Sequence, residues 1–350
     1  MLTKLTFYVL NSLGSPYDEQ RVTMPLPFTV MSGVTIEDVS GWLNDESLRW
    51  VSSHLGIYQT EALKRVRFAL VHRYAADSAI TGTDEDIESE KLVRNLAELI
   101  HIIRPMRQRT SMVRGRYNDD GTVKIDGMDT PAEIETPEVH KLNQLRDRDL
   151  ILVRQLAPLF RSAMDGNAPK FRSAIFYHSL GRIMQHANAR YLLWCSAIEA
   201  LYTSHGLEHQ GKLVATERIK WFLGSTTCIY EPGDLPDYIV KPSSLTVADA
   251  VAKVYEVRNY IAHGDVIPKE YFETPMREGI ANHVPMIEVM VEAVSLIARR
   301  SIIRILVDNL LPHFEKAATA DAYFEAQGLT KSVLRKKRRG SPSSPLPTGV

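Results

Sequence analysis

From about residue 137 to residue 327, apolar side chains recur with the period of α-helices, and this pattern constrains the fold more than any other feature. Apolar residues three, four and seven positions apart form one stripe on a helix, which has to pack against other helices. The carboxy-terminal part of the chain is therefore expected to be a helical bundle. The predicted helices lie near residues 138–164, 169–186, 188–204, 208–223, 246–263, 283–311 and 315–327.

The first 130 residues mix two patterns. Residues 5–10 and 21–30 are strand-like, and from about Asp38 the spacing becomes helical. Three helices are predicted there, over 39–55, 62–73 and 84–104.

The segment Asn118-Asp-Asp-Gly121 predicts a turn, and with its flanks a short hairpin over 111–126. The expected fold class is therefore mainly α, with a carboxy-terminal helical bundle and an amino-terminal part that is helical with short strands and a hairpin.

Pro131 and Pro137 mark a predicted linker, and a Gly- and Pro-rich segment over 224–245 predicts a long loop. Four regions follow from these boundaries. They are an extended, strand-containing segment over 1–40, a helical domain with the hairpin over 41–165, a helical domain over 166–328 and a basic, disordered tail over 329–350.

The formal net charge of zero conceals an asymmetry. Six basic side chains and no acidic one lie between residues 331 and 339, which leaves 36 basic and 42 acidic residues elsewhere. The body of the chain is therefore not a broadly basic nucleic-acid binder, whereas the tail is either an RNA-binding arm or a solubilising end. The six tail residues are Lys331, Arg335, Lys336, Lys337, Arg338 and Arg339.

The two cysteines, Cys195 and Cys228, are too few for a disulfide framework or a four-cysteine zinc site. His205 and His209 are four residues apart, but Gly206 separates them and no third ligand is evident, so no metal or other cofactor is predicted. No apolar run approaches the ~20 residues of a membrane span, and no secretory signal is recognised. We therefore expect a cytoplasmic protein without a membrane partner.

The segment Arg258-Asn-Tyr-Ile-Ala-His263 carries the strongest chemical signal. Thr246 is a predicted N-cap, and Gly264 follows His263 where helices commonly end. Asn259 and His263, four residues apart, share one helix face, whereas Arg258 points about 140° away from His263 and lies ~7.5 Å along the axis. Two such helices related by a two-fold axis would bring their arginines and histidines to one groove.

Arginine offers a fixed charge and a bidentate fork for a phosphodiester, and histidine exchanges protons near neutral pH. The segment resembles the R-N-x-x-x-H signature of the HEPN superfamily. Two upstream stretches, Arg190-Tyr-Leu-Leu-Trp-Cys-Ser-Ala-Ile-Glu199-Ala-Leu-Tyr and Arg218-Ile-Lys-Trp-Phe-Leu223, are similar to its ApeA-like branch. The resemblance covers about residues 170–310.

The resemblance implies metal-independent RNA cleavage by 2′-hydroxyl attack, which gives a 2′,3′-cyclic phosphate. His263 would be the acid/base group, Arg258 would neutralise the phosphorane, and Asn259 would orient His263 or the phosphate. Glu199 would either orient Arg258 or pair with it as part of the core. The resemblance also implies a homodimer with a composite site, and an antiphage or abortive-infection role in which residues 41–165 act as a sensor for a phage-derived or other ligand.

Two other functions stay open. The helical domain could be a non-catalytic module that binds a nucleotide, RNA or a protein partner. Alternatively, the chain could be a helical sensor whose tail contacts nucleic acid. Substitution of Arg258 and His263 separates the first from the nuclease, and deletion of 331–350 tests the second.

Overall fold

The computed structural model describes residues 2–10, 24–77, 79–105, 108–110, 112–118, 120–129, 132–134, 145–203, 211–229, 245–272 and 286–329. Ten α-helices lie within these ranges. They are α1 Arg49–Leu55, α2 Ile57–Lys64, α3 Asp84–Ile103, α4 Asp147–Asp165, α5 Pro169–Ile183, α6 Ala187–Tyr202, α7 Gly211–Leu223, α8 Val247–His263, α9 Met286–Val307 and α10 Ala317–Ala326.

The strands form two antiparallel sheets. The strands are β1 Leu2–Val9, β2 Phe28–Met31, β3 Val34–Asp38, β4 Phe68–Ala76, β5 Gln108–Thr110, β6 Met112–Tyr117, β7 Val123–Met128 and β8 Ala132–Ile134. The larger sheet has six strands in the order β2-β3-β4-β1-β6-β7, and the smaller pairs β5 with β8.

The prediction of a mainly α fold is wrong, because the amino-terminal part is built on the six-stranded sheet and the chain is mixed α and β. The strand β1 lies in the interior of the sheet, with Phe7 opposite Val71 of β4 on one side and Val113 of β6 on the other. Its inward-facing side chains, such as Leu5 and Phe7, are fully buried. This sheet provides the core that the sequence analysis assigned to helices.

Two predicted helices account for most of this error. The range 62–73 contains the end of α2 and then β4, in which Phe68, Ala69, Leu70 and Val71 are all buried. A continuous apolar run of this length fits a strand covered on both faces as well as a buried helix, so periodicity does not distinguish them. Within 39–55, only Arg49–Leu55 is helical.

Other predictions for this part are confirmed. The strand-like range 5–10 coincides with most of β1, and the helix over 84–104 coincides with α3. The predicted hairpin is formed by β6 and β7, with Tyr117 opposite Val123. Asn118 N donates to the carbonyl oxygen of Thr122 at 2.8 Å across its turn. Most of the predicted linker at 131–137 lies outside the described residues.

The described residues divide into two compact units. The amino-terminal unit contains described residues of 2–166 together with 179–190, and it holds both sheets and helices α1 to α4. The carboxy-terminal unit contains described residues of 167–178, 191–229 and 245–329, and it is helical. Its helices correspond to those predicted from the sequence, and α8 packs against α7 and α9.

Buried ion pairs fix α3 within the amino-terminal unit. Lys4 of β1 lies 3.0 Å from Asp86 near the start of α3, and both side chains are almost fully buried. At the other end, Arg104 donates two hydrogen bonds to Asp149 of α4, at 3.0 and 3.1 Å. In each pair, two opposite charges offset the cost of burying either one alone. Together the two pairs hold α3 in one position against the sheet and α4.

Substitution of Arg104 tests how much a buried and unpaired Asp149 destabilises the fold. We expect Arg104→Met to lower the free energy of unfolding by about 3–5 kcal/mol, because Asp149 stays buried without its cation. Urea denaturation measures this loss. Arg148 approaches the same carboxylate at 3.9 Å but is 58% exposed, so Arg148→Met is the matched control and should cost less than about 1 kcal/mol. Equal losses for the two variants would contradict this account.

Candidate active site

Helix α8 begins and ends as its sequence predicts. The Thr246 hydroxyl oxygen accepts a hydrogen bond from the backbone N–H of Asp249 at 3.2 Å, which caps the amino terminus. Gly264 has a φ of 73° and so takes the left-handed conformation that ends many helices. His263 therefore lies in the last turn, and both predicted caps are confirmed.

One face of α8 is anchored in the helical core. Val247, Val251 and Val254 are buried, whereas Ile261 is only half-buried. The hydroxyl of buried Tyr191 donates a hydrogen bond to the carbonyl oxygen of Val254 at 2.9 Å. The first part of the helix is thus fixed, and the turn that carries Ile261 and His263 reaches towards solvent.

Arg258 lies at the edge of this core and is paired with Glu199 of α6. Its Nε is 3.5 Å from Oε1 of Glu199, and the two side chains are 33% and 28% exposed. A partly buried carboxylate restrains the guanidinium and still leaves part of it in contact with solvent. The structure thus brings together two of the predicted site residues from separate helices.

Two further side chains lie close enough to this pair for its charges to shift their pKa values. Cys195 is buried one turn before Glu199, and burial together with the Glu199 carboxylate raises the pKa of its thiol well above the usual value. Burial and Glu199 also raise the pKa of Tyr255, whose buried hydroxyl has no hydrogen-bond partner within the described residues. Both groups stay neutral, so Cys195 packs as a small hydrophobe.

Glu199 itself titrates abnormally. Burial raises the pKa of its carboxyl above the ordinary value, and the positive charge of Arg258 opposes but does not cancel this effect. The ion pair is therefore weakened as pH falls towards the range in which Glu199 takes up a proton. Tyr255 and Glu199 lie on separate helices, so the sequence does not show that the carboxylate is close enough to shift the pKa of the tyrosine.

Asn259 and His263 lie on a different part of the helix surface. Asn259 is half-buried, and His263 is exposed, with no hydrogen-bond partner for its imidazole within the described part of the chain. At ~100° of rotation per residue, Asn259 and His263 lie on the same face of the helix. Arg258 points about 140° away from His263 around the helix axis. A single copy of α8 therefore does not direct Arg258 and His263 towards one phosphate.

The second upstream motif has a structural place. Arg218 is fully buried, and its Nη2 lies 2.8 Å from Oδ1 of Asp321. Its Nη1 donates to the carbonyl oxygen of Tyr202 at 3.1 Å, and its guanidinium stacks over the ring of Phe324 at 4.8 Å. Arg218 is thus a core residue that joins α6, α7 and α10.

Several predicted residues lie outside the described residues. They include His205, His209 and all six basic residues of the tail from Lys331 to Arg339. Within the described ranges, no group of three or more His, Cys, Asp or Glu residues could hold a metal ion. No helix in those ranges is both long enough and apolar enough to cross a membrane.

Comparison of the chain with protein-family models, with curated proteins and with solved structures gives no match.

The raised pKa of Glu199 leads to a prediction with a definite sign. The pKa of this carboxyl is higher in the folded protein than in the unfolded chain, where it is about 4.5. Such a group stabilises the fold at pH values below its pKa in the unfolded chain. The stabilisation is lost as the pH rises through its pKa in the folded protein. The stability of Glu199→Gln relative to wild type should therefore increase from about pH 4 to about pH 8. Urea denaturation over this range measures it, with the exposed Glu288→Gln as the control. A relative stability that falls with pH would contradict the assignment.

Proposed function

We propose that the chain is a metal-independent endoribonuclease of the HEPN type and that Arg258, Asn259 and His263 form its active site. One observation carries the proposal. Arg258 is held by Glu199 at the surface of the helical unit, and His263 is exposed on the same helix at a capped end. The resemblance of this segment and of the two upstream stretches to HEPN ribonucleases supports the same reading.

The chemistry follows from these groups. His263 accepts the proton of a ribose 2′-hydroxyl, and the 2′-oxygen attacks the adjacent phosphorus. The bond from phosphorus to the 5′-oxygen breaks, and that oxygen receives a proton from an imidazolium. The products are a 2′,3′-cyclic phosphate and a 5′-hydroxyl. Arg258 neutralises the extra charge of the phosphorane, and Asn259, on the face of His263, orients the imidazole or the phosphate.

The divergence of Arg258 and His263 within one helix favours a site built from two copies. A two-fold axis beside the end of α8 would bring the arginine of each protomer towards the histidine of the other. The segment after the helix contains apolar side chains that a partner could cover, because Val266 is 90% exposed and Phe272 is 54% exposed. Burial of such surface favours association.

The Arg258–Glu199 pair also favours a second candidate function. An arginine with a purely structural role at the edge of a core makes the same contact with a carboxylate. A non-catalytic helical module that binds a nucleotide, RNA or a protein could therefore contain the same ion pair. The antiphage role, the sensor role of residues 41–165, the RNA-binding tail and the cytoplasmic location remain expectations from the sequence.

Substitutions in α8 test the nuclease. Purified wild-type protein should cleave RNA in the presence of a metal chelator and leave 2′,3′-cyclic phosphate ends. His263→Ala and Arg258→Ala should each lower the rate by about 10²–10⁴-fold, because proton transfer or charge stabilisation is lost. Arg258→Lys should recover only part of the loss, because lysine keeps the charge but not the fork.

Two variants serve as matched controls. Lys253→Ala lies on the same helix outside the motif, and His313→Ala removes an exposed histidine from the same unit. Both should retain wild-type activity. Absence of cleavage by wild-type protein, or cleavage that survives both Arg258→Ala and His263→Ala, would contradict the nuclease and favour the binding module.

A further inference from the structure

A buried tyrosine hydroxyl beside the proposed site makes no contact that explains its presence. Tyr255 of α8 is 2% exposed, and its hydroxyl has no hydrogen-bond partner within the described residues. A buried hydroxyl without a partner destabilises a protein relative to an apolar group of the same shape. Phenylalanine would therefore fill this part of the core at least as well, so the hydroxyl requires another explanation.

Two contacts between α6 and α8 locate this tyrosine. On one side, the hydroxyl of Tyr191 donates to the carbonyl oxygen of Val254 at 2.9 Å, and on the other, Glu199 lies 3.5 Å from Arg258. Tyr255 follows Val254 directly and precedes Arg258 by about one turn, so it lies between the two contacts along α8. Burial and, next, the Glu199 carboxylate raise the pKa of its phenol, which agrees with this position.

The side chains of α6 that affect the pKa of Tyr255 lie on one stripe of that helix. They are Cys195, Glu199 and Tyr202, at spacings of four and three residues. The Tyr202 hydroxyl already donates to the hydroxyl of Ser301 at 2.7 Å, and a thiol is a weak acceptor. The carboxylate of Glu199 is therefore the strongest acceptor near the Tyr255 hydroxyl.

The carboxylate of Glu199 is itself only loosely held. Its Oε1 is 3.5 Å from Nε of Arg258, which is longer than the usual ~2.7–3.2 Å of a hydrogen bond. Within the described residues, no other side chain pairs with this carboxylate. An unused donor on α8 and an acceptor with a loose partner on α6 thus lie close together.

The proposed reaction requires Arg258 to turn towards a phosphate. Such a movement leaves the partly buried carboxylate of Glu199 without its cation, which is unfavourable. A neighbouring phenol can donate a charge-assisted hydrogen bond to that carboxylate and offset part of the loss. The hydroxyl of Tyr255 is a donor of this kind.

We propose that Tyr255 is a positioning residue whose hydroxyl becomes the partner of Glu199 when Arg258 moves from the carboxylate to the RNA phosphate. The phenol keeps its proton throughout, and Glu199 remains a carboxylate. The part played by the phosphate rests on the proposed function. The exchange of partners at Glu199, in contrast, can be measured without RNA.

A double-mutant cycle in the full-length protein measures this exchange by urea denaturation at pH 8. Arg258→Met removes the cation and leaves Glu199 to accept from Tyr255. In the wild-type background, Tyr255→Phe should leave the urea midpoint unchanged or raise it, because the hydroxyl is unbonded. In the Arg258→Met background, the same substitution should lower the folding equilibrium constant about tenfold, because a hydrogen bond to a carboxylate is lost.

Tyr191→Phe is the matched control, because it removes another buried hydroxyl between the same two helices. That hydroxyl is bonded to the backbone of Val254, so its loss should destabilise both backgrounds equally. An equal effect of Tyr255→Phe in the two backgrounds would overturn the proposal. Destabilisation in the wild-type background alone would make Arg258 the partner of the hydroxyl and would also overturn it.

RNA cleavage tests the link to catalysis. Tyr255→Phe should lower kcat/KM about tenfold without lowering the stability of the protein, because Glu199 then has no partner when Arg258 holds the phosphate. Unchanged kcat/KM would overturn the role of Tyr255 in the reaction. Absence of cleavage by wild-type protein would overturn the nuclease, whereas the stability cycle would still decide whether Glu199 exchanges Arg258 for Tyr255.

Discussion

A guanidinium that is partly withdrawn from water needs a carboxylate beside it, and the contact between Arg258 and Glu199 satisfies this requirement. The pair joins α6 to α8 at the point where the core of the helical unit meets solvent. It restrains the arginine without burying it completely, so the charge remains accessible to a polyanion. Burial raises the pKa of Glu199 by more than the positive charge of Arg258 lowers it. The strength of the ion pair therefore depends on pH.

The rest of the proposed site depends on how α8 ends. Buried Val247, Val251 and Val254 fix the start of the helix, and Gly264 ends it immediately after His263. The imidazole is therefore exposed, but the same helical geometry turns it away from Arg258. A ribonuclease that uses both residues on one phosphate consequently requires a second copy of the helix. The ion pair and the helix end together make the dimer a necessary part of the proposal.

Local signals in the sequence predicted this region well. The Thr246 cap, the helix to His263 and the left-handed Gly264 each depend on residues within a few positions of one another. The contact of Arg258 with Glu199 was expected only from the family resemblance, since it joins residues about 60 positions apart. The buried hydroxyl of Tyr255 could not be anticipated, because its surroundings come from the packing of α6 against α8.

The amino-terminal sheet shows the opposite case. The run from Phe68 to Val71 is apolar at every position because both faces of β4 are covered, and no alternation marks it as a strand. The hydrogen bond between Nδ1 of His72 and the hydroxyl of Ser89 was not foreseen either, although α3 is the next element after β4. It forms only after α3 has packed against the sheet.

Subunit mixing tests the central claim of a two-copy site most directly. Wild-type chains are co-expressed with the Arg258→Ala/His263→Ala double variant at different ratios, and RNA cleavage is measured on the purified mixtures. If each site takes its arginine and histidine from different protomers, mixed dimers are inactive. Activity then falls as the square of the wild-type fraction, to about one quarter at equal amounts. A linear fall, to about one half, would show that one protomer is sufficient and would contradict the account.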